Sequence, residues 1–350
     1  MSSSDLYDVI VVGAGLSGAL IASTLAGEGL NVAVLEATRV PGGTVKRQPG
    51  LALLGTPEPF NELKSRQGEE LAHTLWELTS ENLVRLEILL DQAGIDSEKT
   101  GSLRLARDAE QSAAFRGSVA ELSTYGYEIG LEDDSRYGDL VAISTADDLA
   151  FDPRALIQRL LDHENISLEV EAEVHAIKRR PEGDLAVWAH RRYLWARRVI
   201  LANGIHGVRL TEALIGKVQA VCVHTVVFEN AETINRPLIL DDGHICFLPF
   251  GPHAYLTGWD ETEIGILKRL SPIARQLCPD AAVHERFTTW IAQSHDRLPI
   301  LGQDPGDPDV YLMNGLGPFG LNVALIAADE LADLILEGQR SELFSLDRFE

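Results

Sequence analysis

Asp8-Val-Ile-Val-Val-Gly-Ala-Gly-Leu-Ser-Gly-Ala-Leu-Ile-Ala-Ser-Thr-Leu-Ala26, continued by Gly29-Leu-Asn-Val-Ala-Val-Leu-Glu36, decides the fold. Val9 to Val12 is an apolar run of the length and type found in a buried parallel strand. Gly13, Gly15 and Gly18 then spell G-x-G-x-x-G. Ala19, Leu20, Ala22 and Leu25 come next at helical spacing, Gly29 ends the helix, and Val32 to Leu35 reads as a second apolar strand closed by Glu36. A βαβ unit with its glycines in these places is a dinucleotide-binding fingerprint. Gly13 permits the tight turn, Gly15 lets a pyrophosphate approach the backbone, and Gly18 lets helix and strand pack closely. The helix N-terminus offers unpaired N–H groups and the positive end of its dipole to the phosphates. Glu36, 18 residues beyond Gly18, is placed to accept the adenosine ribose hydroxyls.

The residues after Glu36 select the dinucleotide. Arg39-Val-Pro-Gly-Gly-Thr44 is a further turn with two glycines. A glycine pair directly after the ribose-binding acid is common in FAD proteins, so FAD is expected rather than NAD. Composition sets the outer bounds. A chain of 350 residues, 45% hydrophobic, is long enough for two domains and a large core. A net charge of −23 argues against a nucleic-acid backbone or an anionic membrane as partner, and reads as a self-repelling, water-soluble surface. The cluster Glu132, Asp133 and Asp134 is short and loop-like. Cys222, Cys246 and Cys278 have no metal or disulfide spacing, so no metal site is expected and a reducing, cytoplasmic setting fits. The N-terminus lacks a basic region, and no run of 18 apolar residues occurs, so neither a signal peptide nor a membrane span is expected.

Along the chain, residues 45–68 are polar and broken by Pro49, Gly50, Pro57 and Pro59. Lys46 and Arg47 in this stretch are either guides for an anionic substrate or solvated loop charges. Glu69 to Ala93 has Leu71, Leu75, Leu78, Leu86 and Leu89 at helical spacing. Gly101 to Ala106 reads as a short strand and Asp108 to Leu122 as a helix. Residues 123–150 are turn-rich without a period. Asp152 and Pro153 are an N-cap and first helical residue, opening a helix to about His163. Ser167 to Val174, His175 to Arg179 and Ala186 to His190 look like a small antiparallel element. Arg198-Val-Ile-Leu-Ala-Asn-Gly204 returns the chain to the first sheet.

Lys217 to Phe228 reads as a long alternating strand. With Leu238 to Leu240, Ile245 to Leu248 and Ala254 to Thr257 it predicts a mainly antiparallel sheet. Glu263 to Leu277 reads as a helix and Ala281 to Trp290 as a strand. Leu298 to Gly302, Val310 to Met313 and the turn Asn314-Gly-Leu-Gly-Pro-Phe-Gly-Leu-Asn322 lead into a last helix, Val323 to Leu336. That turn presents Gly317 and a second helix N-terminus to an electron-rich group such as the flavin N1–C2=O edge.

These pieces, in this order, resemble the FAD-dependent D-amino-acid oxidase superfamily, in particular its glycine oxidase and sarcosine oxidase branch, over essentially the whole chain. The fingerprint with its Gly-Gly continuation, Phe151-Asp-Pro-Arg-Ala-Leu156, Val199 to Gly204, Asp296-Arg-Leu-Pro-Ile-Leu-Gly302 and Gly315 to Asn322 carry the likeness. The resemblance implies an α/β fold: a Rossmann-type FAD-binding domain (GR2-like) with an inserted, mainly antiparallel substrate domain plus helices. The FAD-binding segments would be 1–80, 146–215 and 293–350, and the substrate segments 81–145 and 216–292. It implies that Gly13, Gly15, Gly18 and Glu36 hold the ADP half. Val174 would offer backbone to the adenine, Ala202 and Gly204 would flank the pyrophosphate, and Gly43 and Thr44 would lie near the flavin. Gly320, Leu321 and Asn322 would face its pyrimidine edge.

The implied activity is oxidation of a C–N bond, with hydride passing to flavin N5, O2 or another acceptor taking the electrons, and the imine hydrolysed in water. Relatives acting on amino acids carry a carboxylate-gripping Arg before the Pro-Ile-Leu-Gly segment; Gln293 stands near that place. The family's tyrosine before the strand proline corresponds to Cys246 before Pro249, and the arginine after it to Phe250. The candidate pocket residues are therefore His244, Cys246, Gln293 and His295, with Arg297 as a surface charge or a displaced carboxylate ligand and Trp290 as core. His244 and Cys246 share a strand face if the strand period of two holds. Cys278 lies too far upstream to match the family's flavin-linking cysteine, so FAD is expected to bind non-covalently. Two other readings stand beside this one: a same-fold flavoprotein acting on a carrier- or peptide-bound group with a partner protein, and an FAD-binding subunit without catalysis. A homo-oligomer is compatible with either.

Overall fold

A computed structural model describes residues 6–45, 47–133, 140–189, 191–229, 236–260, 262–278 and 281–349. Lys46 and Asp134 lie outside the described residues. In chain order the elements are β1 (Leu6–Val12), α1 (Leu16–Gly27), β2 (Val32–Leu35), β3 (Gly50–Ala52), α2 (Phe60–Gln67), α3 (Glu69–Ala93), β4 (Ser97–Lys99), β5 (Ser102–Leu105), α4 (Ala109–Thr124), β6 (Ile129–Asp133), β7 (Val141–Thr145), β8 (Leu149–Phe151) and α5 (Pro153–Leu161). They continue with β9 (Ile166–Glu169), β10 (Val174–Arg179), β11 (Leu185–Ala189), β12 (Arg192–Leu201), β13 (Val218–Glu229), β14 (Leu238–Leu240), β15 (Ile245–Phe250), β16 (His253–Asp260), α6 (Glu263–Leu277), β17 (Ala282–Ser294), β18 (Ile300–Asp304), β19 (Asp307–Asn314) and α7 (Ala324–Glu337). Two compact units share this chain. One takes Met1–Arg47, Pro153–Ala220 and Trp290–Glu350; the other takes Gln48–Asp152 and Val221–Thr289.

The first unit is a Rossmann-type α/β sheet of order β10-β11-β12-β1-β2-β9, with β19 joining β12 and β18 beyond it. The β12, β1, β2 and β9 strands run parallel, as does β19 beside β12. Val9 to Val12 are all buried, because the sheet has cover on both faces; that is why the strand reads as a continuous apolar run. The β12 strand is long enough for two partners along one edge. Its first half pairs antiparallel with β11, and its last three residues pair parallel with β19. Strand ends are level: Val12 stands opposite both Leu35 and Leu201. The chain leaves β1 towards β2 on one side, while β12 fills the other, so a topological switch point falls at Gly13, where such sheets bind ligands.

One expectation changes here. The segment Ser167 to Val174 gives only Val174 to the small antiparallel element. Its first part is β9, parallel to β2, sewn on by Glu36 N–H to Glu169 O at 2.8 Å and Ala172 N–H to Glu36 O at 2.8 Å. Only β10, β11 and the start of β12 form the antiparallel meander.

The second unit is built on the sheet β17-β13-β16-β15-β14-β5-β7-β6. Its described registers are antiparallel, except β14 beside β5. One face buries Val226, Phe228, Ile245, Phe247 and Leu256 together with Ile266 and Leu270 of α6. A Cβ on Gly258 would stand 2.4 Å from Ile266 Cδ1, so the glycine is what lets α6 lie so close. β13 does not alternate as expected: Val221 to Phe228 are all buried.

The turn-rich reading of 123–150 also gives way, to β6, β7 and β8. The broken stretch 45–68 holds β3 and α2. These pieces are three to eight residues long, too short for a period to show.

Candidate active site

In the first unit the level strand ends carry a row of glycine turns. Gly13 has φ 105°, and a Cβ there would stand 2.7 Å from Ala202 O. A Cβ on Gly18 would stand 1.9 Å from Gly13 O. Both positions exclude any side chain, as the tight turn and close packing demand. Gly15 differs. It has φ −77°, caps α1 without a side-chain hydrogen bond, and an added Cβ would meet nothing nearer than Gly43 Cα at 3.8 Å. Gly42 N–H donates to Ala14 O at 3.0 Å, which draws the second glycine pair onto the first. Thr44 lies in the same exposed turn.

Glu36 ends β2 and is almost fully buried. Its Oε2 accepts from Ala14 N–H at 2.9 Å, and its Oε1 accepts from Thr38 N–H and Thr38 Oγ1–H at 2.8 Å each. Three of about four acceptor sites on a carboxylate are thus used, leaving one for a ribose hydroxyl. Val174 opens β10, in the segment drawn beside Glu36. Ala202 N–H donates to Val12 O at 3.0 Å, which seats the Ala202–Gly204 turn beside Gly13. Gly204, at φ 55°, accepts at its carbonyl from Asn314 Nδ2 at 3.0 Å. Asn314 begins the last turn.

There Gly317, at φ 68°, lies over Gln293: a Cβ would be 3.3 Å from Gln293 Cγ. Gly320 packs on Leu316, and Leu321 and Asn322 complete a short 3₁₀ turn before α7, whose N-cap Val323 makes no side-chain cap. Gly43, Gly15, Gly13, Ala202 and Gly204 thus form a ledge, to which Asn314 ties the turn that carries Gly317, and neither α1 nor α7 has a side-chain cap. A flavin dinucleotide fits this donor set: open space at Gly15, the N-terminal N–H groups of α1 for phosphate, and an acceptor for ribose.

The substrate candidates fall into two groups. Gln293 is buried beneath the glycine turn, bridged to Leu316. His295 and Arg297 are exposed in the turn after β17, and Trp290, expected in the core, is 43% exposed. Cys246 lies in β15, opposite Thr257 and Ile239. Desolvation, with a smaller push from the Asp148 carboxylate, drives its thiol up to about 12. His244 does not sit in the strand: it ends the preceding turn, where Asp241 and Asp242 have φ 53° and 52°. Its ring still reaches the Cys246 side. It stacks on Trp259 at 4.1 Å, with Nδ1 2.8 Å from Asp241 O, and Trp259 is two residues from Thr257.

Residues on that face are partly open at β15 and β16, where Cys246, Tyr255 and Thr257 retain exposure. The face closes at either side. Thr225 is held by Gln48 at 3.0 Å, and Arg104 Nη2 donates to Leu54 O. Asp148, wholly buried, accepts from Leu54 N–H at 2.7 Å and from Ser102 and Thr145. Arg104 and Asp148 thus face each other through the Leu54 backbone, which lowers the cost of burying both charges. Tyr255, Thr257, Arg104 and Asp148 carry no sequence signal; register alone places them. Elsewhere Glu69, His73 and Glu121 bring ligand atoms within 4.8 Å of one another, but Lys64 Nζ already holds Glu121 Oε1 at 2.6 Å.

Comparison with known proteins agrees with this geometry. The family model described as FAD dependent oxidoreductase matches residues 8–334, and the chain belongs to that family. Among curated relatives, the probable oxidoreductase OrdL of Haemophilus influenzae is 36% identical over 100 residues, 28% of this chain and 23% of that protein. The bifunctional tRNA 5-methylaminomethyl-2-thiouridine biosynthesis protein MnmC of a Polaromonas species is 24% identical over 377 residues, 92% of this chain and 56% of that protein. The chain thus spans under a quarter of one and little more than half of the other. Among solved structures, L-proline dehydrogenase from P. horikoshii has a TM-score of 0.80 at 18% identity, covering 99% of this chain and 98% of that one. Glycine oxidase from Geobacillus kaustophilus has 0.78 at 20%, covering 98% of each. At these identities the likeness is one of fold. No described helix is long and apolar enough to cross a membrane.

Proposed function

We propose that this oxidoreductase removes hydride from the C–N carbon of a small amine or amino acid, and that water then hydrolyses the imine. Flavin, when bound, supplies the hydride acceptor. The observation that carries the reading is the partly open face around Cys246 in the second unit, where the buried charges of Arg104 and Asp148 meet through the Leu54 backbone. Its thiol, driven to about 12, stays protonated through the physiological range, so Cys246 is a small neutral floor rather than a nucleophile. His244, held by Trp259 and the Asp241 carbonyl, is a rigid polar wall able to orient an amine. Thr257 and Tyr255 add hydroxyls. Gln293 supports the Gly317 turn from beneath, and His295 with Arg297 lies at the surface. A substrate arriving as the neutral amine needs no general base, so positioning and exclusion of water are the chain's main contributions.

In this reading Gly13, Gly15, Gly18, Glu36, Gly43, Thr44, Val174, Ala202, Gly204, Gly317, Gly320, Leu321 and Asn322 hold a non-covalent FAD. Anaerobic mixing of the yellow protein with a panel of free amines and amino acids is the test. Flavin bleaching by a free small molecule is the expected result. Bleaching only by a peptide- or carrier-bound amine would replace this reading with a second one. That second reading is favoured by the name of the Polaromonas relative, which places that protein in the modification of a base carried on tRNA. A net charge of −23 argues against an RNA backbone for this chain, and leaves a carrier or peptide as the larger molecule. No bleaching with either class would overturn both.

A further inference from the structure

We propose that Asn314 is a positioning residue that locks the Ala202–Gly204 turn to the Asn314–Asn322 turn, so that the two ends of the cofactor ledge move as one. The inference rests on the cofactor assignment of those turns made above. Parallel pairing between β12 and β19 is described as far as Leu201 opposite Leu312. Beyond that point β12 ends, while β19 runs on beside β18 to Asn314. Asn314 takes over where the ladder stops. Its Nδ2–H donates to Gly204 O at 3.0 Å, and its Oδ1 accepts from Gly315 N–H at 2.7 Å.

Asn314 is 1% exposed; its bond to Gly315 is buried and its bond to Gly204 is part-buried. One planar amide thus satisfies the carbonyl of one turn and the N–H of the other. Asn is suited to this because it carries donor and acceptor on one short arm; Asp lacks the donor, and Leu lacks both groups.

Gly207 protects the arrangement. A Cβ there would stand 2.8 Å from Asn314 Nδ2 and 3.4 Å from Asn203 Oδ1. Its φ is not in the left-handed region, so a methyl group at 207 would press on the Asn314 amide and on Leu214 Cδ1, also at 2.8 Å, without straining the backbone. Neither Asn314 nor Gly207 is singled out by the sequence motifs, because the bond joins residues 110 positions apart.

Three variants test the assignment: Asn314→Asp, Asn314→Leu and Gly207→Ala. Each is measured for its dissociation constants with FAD and with ADP, and for visible circular dichroism of the bound flavin. FAD engages both turns, whereas ADP engages only the nucleotide end. Two buried hydrogen bonds, each worth roughly two- to tenfold, set the scale. FAD affinity is expected to fall about tenfold or more in Asn314→Leu and Asn314→Asp, ADP affinity by less than about threefold, and the flavin dichroism to change. Gly207→Ala, which leaves the Asn314 side chain in place but pushes its amide aside, is expected to show the same asymmetry.

FAD affinity within about twofold of the parent protein, or equal losses for FAD and ADP, would overturn the proposal; lowered thermal stability with unchanged FAD affinity would reduce Asn314 to a structural residue. Failure of the underlying cofactor assignment reads differently: the parent protein would then take up no FAD, or Gly15→Ala would bind it undiminished.

Discussion

Gly13, Gly15 and Gly18 belong to one motif and answer to different forces. Gly13 and Gly18 are required by the fold itself, since a methyl group at either would enter backbone atoms of the turn. Gly15 has no such neighbour and an ordinary backbone conformation, so its missing side chain serves whatever lies outside the protein. Gly15→Ala is therefore expected to leave the stability of the FAD-free protein within about 1 kcal/mol, while FAD affinity falls on the order of 100-fold. Gly18→Ala is expected to lose folded protein outright. Melting curves without cofactor, beside FAD titrations, separate the two. These glycines were legible because their reasons are local. Glu36 was legible by spacing, although its partners Ala14 and Thr38 were not. Thr257 and Tyr255 were not legible as site residues, because only the β15–β16 register sets them beside Cys246, and Asn314 was not, because Gly204 lies 110 positions away.

Among elements, α3 and α6 have the bounds the pattern predicts, Glu69–Ala93 and Glu263–Leu277, because each turns an apolar stripe inward. α2 escaped because only Phe60 and Leu63 are buried in it. The final 3₁₀ turn, Leu346–Phe349, escaped for another reason: it is held by charge. Arg348 donates to both oxygens of Asp296, at 2.7 and 3.1 Å, and to Leu298 O. Burial alone would raise the Asp296 carboxyl, but the Arg348 hydrogen bond and charge, with Leu298 N–H and Ser294, hold it below the usual range. A depressed carboxyl stabilises the fold at all pH above its ordinary value of about 3.9, and that contribution drains away as pH falls through the lowered value. Asp296→Asn is thus expected to cost about 1.5–3 kcal/mol at pH 7. The gap to the parent protein should narrow as pH falls through the lowered value. Thermal denaturation of both proteins across pH 2–8 checks it; a gap independent of pH would remove the ion pair from the explanation.

At the scale of the molecule, a net charge of −23 is self-repelling, and the ion pairs at Arg179, Arg269 and Arg348 offset only part of it. Screening should therefore help. Between about 0.01 M and 0.15 M salt the Debye length falls from about 30 to 8 Å, and the melting temperature is expected to rise. A fall would mean that the pairs outweigh the repulsion. The two-unit architecture was legible in outline, from a fingerprint at one end and a glycine turn at the other. The handover along β12 was not, because nothing in Arg192–Leu201 marks where one partner stops and the next begins. The same handover bears on biosynthesis. Val9 to Val12 leave the ribosome early, but the strand that covers their far edge is completed only at Leu201, and β19 closes the other side of that strand later still. A nascent chain must carry an apolar, half-paired strand through much of translation, a condition that invites aggregation.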